Sequence, residues 1–118
     1  MSYRSFEDLE VWKRACRVAV RIYEILRDCR DYGLRDQMTR AAVSIASNIA
    51  EGSERASIPD YNRFLHIAKG SAAELRTQLY IAQRIGLIDS PTQTELTQEL
   101  KEIAAMLQGL TKSLKLKT

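Results

Sequence analysis

The sequence is poor in the residues that interrupt helices or bind cofactors. Its 118 residues include two prolines, five glycines, two cysteines and one histidine. So little proline and glycine favours long, uninterrupted helices. Cys16 and Cys29 form no CxxC pair, so the sequence indicates no disulfide framework and no zinc site. No apolar run could span a bilayer and no secretory signal opens the chain, so we expect a cytoplasmic protein with reduced thiols and no membrane partner.

Residues for catalysis are also scarce. The single histidine, His66, falls on the outer face of its predicted helix and has no E-x-x-H neighbour that would suit a metal site in a bundle. Glycine-rich phosphate loops are absent, and Cys16 has no histidine to activate it. We therefore expect no catalytic residues, no metal and no other cofactor, and hence a protein that is not an enzyme.

Local start and stop signals divide the chain into four helices. Three serines, each followed within three residues by proline or an acidic residue, are typical N-caps: Ser5, Ser57 and Ser90. Gly33 is predicted to end the first helix. The predicted helices cover residues 6–30, 34–55, 59–86 and 91–115. Because the connections are short, neighbouring helices should be antiparallel, which predicts an all-α, up-down-up-down four-helix bundle occupying residues 1–118 as a single domain.

The first and last helices differ in how much apolar surface they carry. The last helix has one stripe, of Leu96, Leu100, Ile103, Leu107, Leu110 and Leu114. The first helix has two adjacent stripes. One contains Leu9, Trp12, Cys16, Ala19, Tyr23 and Leu26, and the other contains Val11, Ala15, Val18, Ile22 and Ile25. A bundle helix needs only one such stripe, so the second predicts an intersubunit contact. The alternative is a long apolar edge partly covered by neighbouring side chains.

The second helix is rich in small residues. Its inward face contains Met38, Ala41, Ala42, Ile45, Ile49 and Gly52. Val43, Ala46 and Ala50 extend that surface sideways. Only a narrow polar strip remains, which indicates a central helix packed on more than one side. Asn48 and Glu51, on that strip, could tie neighbouring helices together or hold a ligand. The structural role is favoured because buried polar groups usually satisfy one another.

Basic residues suggest an anionic partner. The formal net charge is +3. The candidate nucleic-acid-binding residues are Lys13, Arg14, Arg17 and Arg21 on the first helix, with Arg63, Lys69 and Arg76 on the third. Like charges one turn apart repel, and a phosphate backbone along the strip would relieve that repulsion. Without an aromatic stacking platform, such binding would be led by the backbone and read little sequence. The alternative is an ordinary solvated charged face.

Three blocks resemble a known family. They are FEDLEVWKRA at Phe6–Ala15, YGLRDQMTRAAVSIASNIAEGSER at Tyr32–Arg55 and FLHIAKGSAAELRTQLYIAQRIGLI at Phe64–Ile88. They resemble the four-helix-bundle proteins encoded in intervening sequences of bacterial 23S rRNA genes, a family that also includes the accessory variability determinant of diversity-generating retroelements. The resemblance implies an antiparallel four-helix subunit in a homopentameric ring. For the retroelement members it also implies binding of nucleic acid and of a reverse transcriptase, and for the intervening-sequence members it implies no enzymatic activity.

Two functions are therefore predicted from sequence. The first is a non-enzymatic, oligomeric accessory factor that binds RNA or DNA through its basic surface residues. The second is a protein–protein interaction scaffold of the intervening-sequence type, without nucleic-acid binding. A retroelement accessory protein would be expected to be strongly basic, whereas this chain is only mildly so, and its modest charge favours the intervening-sequence type.

Overall fold

A computed structural model describes residues 5–117 and contains, in that range, one short 3₁₀ turn and four α-helices. The 3₁₀ turn covers Phe6–Asp8. The helices are α1 (Glu10–Ile25), α2 (Tyr32–Ser53), α3 (Ile58–Arg84) and α4 (Ser90–Lys115). Each helix packs on the next in the chain, and α1 also packs on α4, which closes a bundle of about 48 × 20 × 19 Å. Across residues 5–117, no helix combines the length and apolar character needed to cross a membrane.

Neighbouring helices run in opposite directions. Arg14 contacts Glu99, whereas Arg21, two turns further along α1, lies near Glu95, one turn earlier in α4. The α2–α3 pair is also antiparallel. The Ser44 and Ser71 hydroxyls are 2.9 Å apart, and Gly52, which follows Ser44 in α2, packs on Phe64, which precedes Ser71 in α3. The predicted all-α four-helix bundle is confirmed.

The helix starts follow side-chain caps. The Ser57 hydroxyl accepts a hydrogen bond from the Asp60 amide at 3.2 Å, as the sequence predicts for α3. For α4 the cap is Asp89 rather than Ser90, and its carboxylate accepts from the Thr92 amide at 2.8 Å. A carboxylate is as good a cap as a hydroxyl, so the start of α4 moves by only one residue.

The predicted first helix, 6–30, is wrong at both ends. Ser5 caps the 3₁₀ turn by accepting from the Glu7 amide, and the extended backbone of Leu9 separates that turn from α1. At the other end, α1 stops at Ile25, and the Asp31 carboxylate accepts from the Leu34 amide to start α2. Gly33 therefore lies in the first turn of α2 and does not terminate the preceding helix.

The core follows the predicted stripes of α2 and α4. All six residues of the predicted inward face of α2 are buried, at 0–3% exposure for those other than Gly52. On α4, four residues of the stripe are buried and the last two, Leu110 and Leu114, are partly buried against the core. Burying aliphatic side chains contributes about 1.5–3 kcal/mol each, so these two stripes supply much of the stability of the bundle.

The stripe predicted as an intersubunit contact belongs to the core of the subunit. Its first four residues, Val11, Ala15, Val18 and Ile22, are only 0–5% exposed, and Ile25 is partly buried against them. This corrects the sequence prediction. Helical periodicity shows that two adjacent faces are apolar, but the positions of α2 and α4 decide which face turns inward. The outer apolar face of α1 is instead the one that carries Val20 and Tyr23, which are 58% and 57% exposed.

Candidate nucleic-acid interface

On the basic strip of α1, Arg14 is committed to an internal ion cluster. Its guanidinium donates to Glu99 at 2.7 Å and to Glu102 at 2.6 Å, and 20% of its side chain is exposed. Hydrogen bonds to Glu99 and then to Glu102 raise the pKa of Arg14 above its ordinary value. Arg14 therefore fastens α1 to α4 and is not a free cation for a ligand.

The other arginines of the strip also have acidic partners. Arg17 lies 3.2 Å from Glu10, and Arg21 lies 3.7 Å from Glu95. Lys13 is exposed and has no acidic partner among residues 5–117. The groove between α1 and α4 is consequently lined by both signs of charge, three arginines and two glutamates. The strip predicted as the main nucleic-acid contact is thus largely compensated within the subunit.

The three basic residues predicted on α3 divide differently. Arg63 pairs with Asp60 at 3.0 Å and stacks over the Phe64 ring. Lys69 donates to the Gln108 amide oxygen at 2.7 Å, a neutral partner that leaves its charge uncompensated. Arg76 has no acidic partner among residues 5–117, and its buried Nε–H finds no acceptor there. Lys69 and Arg76 both face α4.

Charges on α4 are sorted by face. Glu95, Glu99 and Glu102 point to the arginines of α1. Lys101 lines the opposite groove, toward α3, and Lys112 lies one turn beyond Gln108. We define the α3/α4 basic face as Lys69, Arg76, Lys101 and Lys112. Sequence reasoning missed Lys101, although lysine and glutamate side by side in a helix lie about 100° apart and so face different neighbours.

An apolar groove of about 490 Å³ lies on the surface where α1 packs against α2. Its walls include Phe6, Trp12, Cys16, Val20, Tyr23 and Val43, and small residues such as Ala46 and Ala50 form its floor. Burial raises the pKa of the Cys16 thiol, which keeps it protonated near neutral pH. We call this surface the α1/α2 apolar groove.

Asn48 and Glu51, predicted to tie helices together, and Gly52, predicted to pack inward, each have a different environment. Asn48 donates to the Ser44 carbonyl and hydroxyl at 2.8 and 2.9 Å, and Ser44 in turn meets Ser71 of α3. The hydrogen bonds of Asn48 thus stay within α2, and Ser44 is the residue that reaches α3. Glu51 is exposed, and its side chain has no hydrogen-bond or ion-pair partner among residues 5–117. Gly52 is buried where α2 approaches α3 closely.

Acid should weaken the ion cluster at Arg14. Hydrogen bonds from Arg14 and then from Gln98 lower the pKa of Glu102 below its ordinary 4.5. A carboxylate with a lowered folded-state pKa stabilises the fold above its unfolded pKa and loses that contribution as pH falls through the folded value. We expect Glu102→Gln to reduce the thermal midpoint at about pH 7 and to make little difference at about pH 3. Glu24→Gln is the control, because it also removes a carboxylate but breaks no side-chain hydrogen bond among the described residues. An equal effect of Glu102→Gln at both pH values would contradict this account.

Within residues 5–117, no three histidine, cysteine or carboxylate side chains gather as they would around a metal ion. His66 is exposed, on the outer face where the sequence places it. The surface features on which a function can be built are thus the α3/α4 basic face and the α1/α2 apolar groove.

Comparison with known proteins agrees with the fold. A model of the family described as 23S rRNA-intervening sequence protein matches residues 7–109. A crystal structure of a protein with unknown function from the S23 ribosomal protein family of Bacteroides thetaiotaomicron is 26% identical, with a TM-score of 0.81, and the match covers 86% of this chain and 98% of that one. No functionally curated protein matches the sequence.

Proposed function

This chain belongs to the 23S rRNA-intervening sequence protein family, and we propose that it is a non-enzymatic, oligomeric accessory protein that binds RNA or DNA. The observation that carries this proposal is the α3/α4 basic face. None of its four cations has an acidic partner among residues 5–117, whereas three of the four cations on the α1 strip do. Uncompensated cations are the ones that gain free energy by approaching phosphates.

The proposed mechanism is electrostatic. Lysine and arginine side chains neutralise phosphates and release the counterions condensed around the nucleic acid, so affinity falls steeply as salt rises. Contacts of this kind position a strand without reading its bases. A subunit with four free cations would bind weakly on its own, and repetition of the face in an oligomer would add avidity.

The proposed assembly is a homopentamer, as the family resemblance implies, with the α1/α2 apolar groove as its subunit contact. The inner stripe of α1 is already used within the subunit, which leaves the groove as the apolar surface of α1 that a second copy can cover. Val20, Tyr23 and Val43 are 58%, 57% and 41% exposed, and exposed apolar surface of this kind is typical of interfaces.

A second candidate function is a protein interaction scaffold. It is favoured by the same groove, because a largely apolar surface suits a protein partner better than a polyanion. A reverse transcriptase, implied by the resemblance to the retroelement members, is one such partner. This function requires that the protein be indifferent to nucleic acid.

One experiment separates the two candidates. Light scattering on a sizing column would measure the particle mass with and without a structured RNA, at low and at physiological salt. We expect a particle about five times the 13.4 kDa subunit that gains mass with RNA at low salt. A particle of the subunit mass would contradict the assembly. An oligomer that ignores RNA at both salts would favour the scaffold.

Charge reversal should locate the binding surface. We expect Lys69→Glu with Lys112→Glu to weaken RNA binding at low salt roughly tenfold or more, because each reversal removes a free cation and adds a repulsive carboxylate. Arg17→Glu with Arg21→Glu changes the net charge equally but acts on residues that already have acidic partners, so its effect should be clearly smaller. Affinity would be measured by fluorescence anisotropy, with circular dichroism to verify folding. Equal losses from both pairs would point to net charge and not to the α3/α4 face.

A further inference from the structure

The packing of α3 on α4 places two cations opposite each other. Lys69 donates to Gln108, and this contact shows how the two antiparallel helices are aligned. Seven residues, or about two turns, further along α3 is Arg76, and seven residues back along α4 is Lys101. Both side chains line one groove of about 420 Å³ between the helices. The alignment therefore sets an arginine and a lysine at one level of the bundle.

This arrangement is unfavourable while the groove is empty of ligand. Like charges facing each other across two elements repel. Neither cation has an acidic partner among residues 5–117, and no residue lining the groove is acidic. In addition, the buried Nε–H of Arg76 lacks an acceptor among those residues, and an unmade hydrogen bond of a charged group costs free energy. An anion in the groove would remove the repulsion between Arg76 and Lys101.

The groove also offers hydroxyl donors. The Tyr80 hydroxyl accepts from Arg84 Nη1 at 3.0 Å, and the Thr97 hydroxyl accepts from Gln93 Nε2 at 3.0 Å. A hydroxyl that accepts one hydrogen bond keeps its own proton to donate. Tyr80 and Thr97 both line the groove with Arg76 and Lys101. Two cations and two free hydroxyl protons form a donor set with no competing carboxylate, which matches the oxygens of a tetrahedral oxyanion.

We infer that the groove between α3 and α4 is a phosphate-binding site, in which Arg76 and Lys101 neutralise the anion while Tyr80 and Thr97 donate to its oxygens. The contrast with the other side of α4 supports this choice, since the α1/α4 groove is lined by glutamates as well as arginines. The inference deepens the proposed function, because it names a phosphodiester as the group that the groove holds. For binding of nucleic acid, it rests on that proposed function. Free inorganic phosphate presents the same chemistry.

Inorganic phosphate is the first probe. Titration into ¹⁵N-labelled protein, against sodium chloride at matched ionic strength, should shift the amide signals of Thr77 and Thr97 saturably with phosphate alone. The shift should disappear in Arg76→Gln with Lys101→Gln. It should persist in Arg27→Gln with Arg30→Gln, a pair of exposed arginines that loses the same charge outside the groove. No phosphate-specific shift in the wild type, or one that survives the groove substitutions, would overturn the inference.

A single-stranded RNA distinguishes the source of the phosphate. If the groove holds a phosphodiester, Arg76→Gln with Lys101→Gln should weaken binding roughly tenfold at low salt and lower the salt slope by about 0.7–1.4 per subunit, while the control pair changes both less. Unchanged RNA binding with loss of the phosphate shift would assign the site to free phosphate. Wild-type protein that takes phosphate but no RNA would refute the proposed function and leave the site intact. RNA binding without any phosphate-specific shift would overturn the phosphate site and leave the proposed function standing.

Lys101→Glu tests the same site without weakening the fold. The introduced carboxylate faces Arg76 and replaces a repulsive pair by an attractive one. The thermal midpoint should rise by roughly 1–4 °C, as expected for a surface ion pair. Phosphate binding should nevertheless be lost. A variant that is more stable yet still shifts with phosphate would show that Lys101 is not part of the site and would overturn the assignment.

Discussion

Replacing both Val18 and Ile22 by lysine should unfold the subunit. The two side chains are 2% and 0% exposed and lie in the core between α1 and its neighbours. Each substitution forfeits about 1.5–3 kcal/mol of apolar burial, and Ile22→Lys also places an unpaired ammonium group in the core, which costs several kcal/mol more. The sum is comparable to the whole stability of a domain of this size, about 5–15 kcal/mol. Far-ultraviolet circular dichroism would show the loss of helix.

The matched control is Val20→Lys with Val43→Lys, on the outer apolar face. Val20 and Val43 are 58% and 41% exposed, so lysine can extend into solvent and the bundle should remain helical. Under the proposed assembly this pair should yield folded particles of subunit mass on a sizing column. Folded protein from the Val18 and Ile22 pair would contradict the core assignment, and an unchanged particle mass from the control would exclude the α1/α2 apolar groove as the subunit contact.

Gly52→Ala should destabilise the bundle although alanine is the better helix former. A Cβ at this position would lie 2.8 Å from the Cβ of Phe64 and 3.2 Å from the backbone oxygen of Tyr61. Neither atom is the end of a flexible side chain, so α2 and α3 would have to separate. Overpacking of this kind costs typically about 1–3 kcal/mol, more than the roughly 1 kcal/mol that alanine gains over glycine in a helix. The denaturant midpoint should therefore fall.

Gly70→Ala is the control within the same bundle. Gly70 also lies inside a helix, but a Cβ there would have nothing within 4 Å. The substitution should raise stability by up to about 1 kcal/mol, so the two glycine substitutions should have opposite signs. Stabilisation by Gly52→Ala would mean that the interface between α2 and α3 yields easily, and the close approach would then not explain the glycine.

The fold was predictable from sequence wherever one cue dominated. α4 has a single leucine stripe, and the six residues predicted to face inward on α2 are all buried, so both faces were placed correctly. The first helix has two adjacent stripes of similar apolarity, and periodicity alone cannot choose between them. Opposite charges could have decided it, because Arg14 and Arg21 on α1 match the spacing of glutamates on α4. Such pairing fixes the rotation of α1 and turns Val18 inward.

The candidate binding surface was less predictable because it depends on alignment between helices. From sequence, Arg14 and Arg76 are equivalent basic residues on polar faces. The structure distinguishes them, since Arg14 meets two glutamates across its groove and Arg76 meets a lysine-bearing face. Which residues of α4 lie opposite a given residue of α3 follows from core packing and the length of the connection. A helical wheel of one helix contains no information about core packing or about the connection to the next helix.

The close approach at Gly52 also has a consequence for how the chain folds. α2 and α3 share the most extensive contact in the bundle and are joined by a connection of only a few residues, Glu54 to Ser57. Contacts between segments close in sequence form early because closing a short loop costs little entropy. We therefore expect the α2–α3 hairpin to form early and α1, the shortest helix, to dock onto it later. On that order, the apolar groove and the ion cluster at Arg14 would both form only when α1 docks, because each needs a residue of α1.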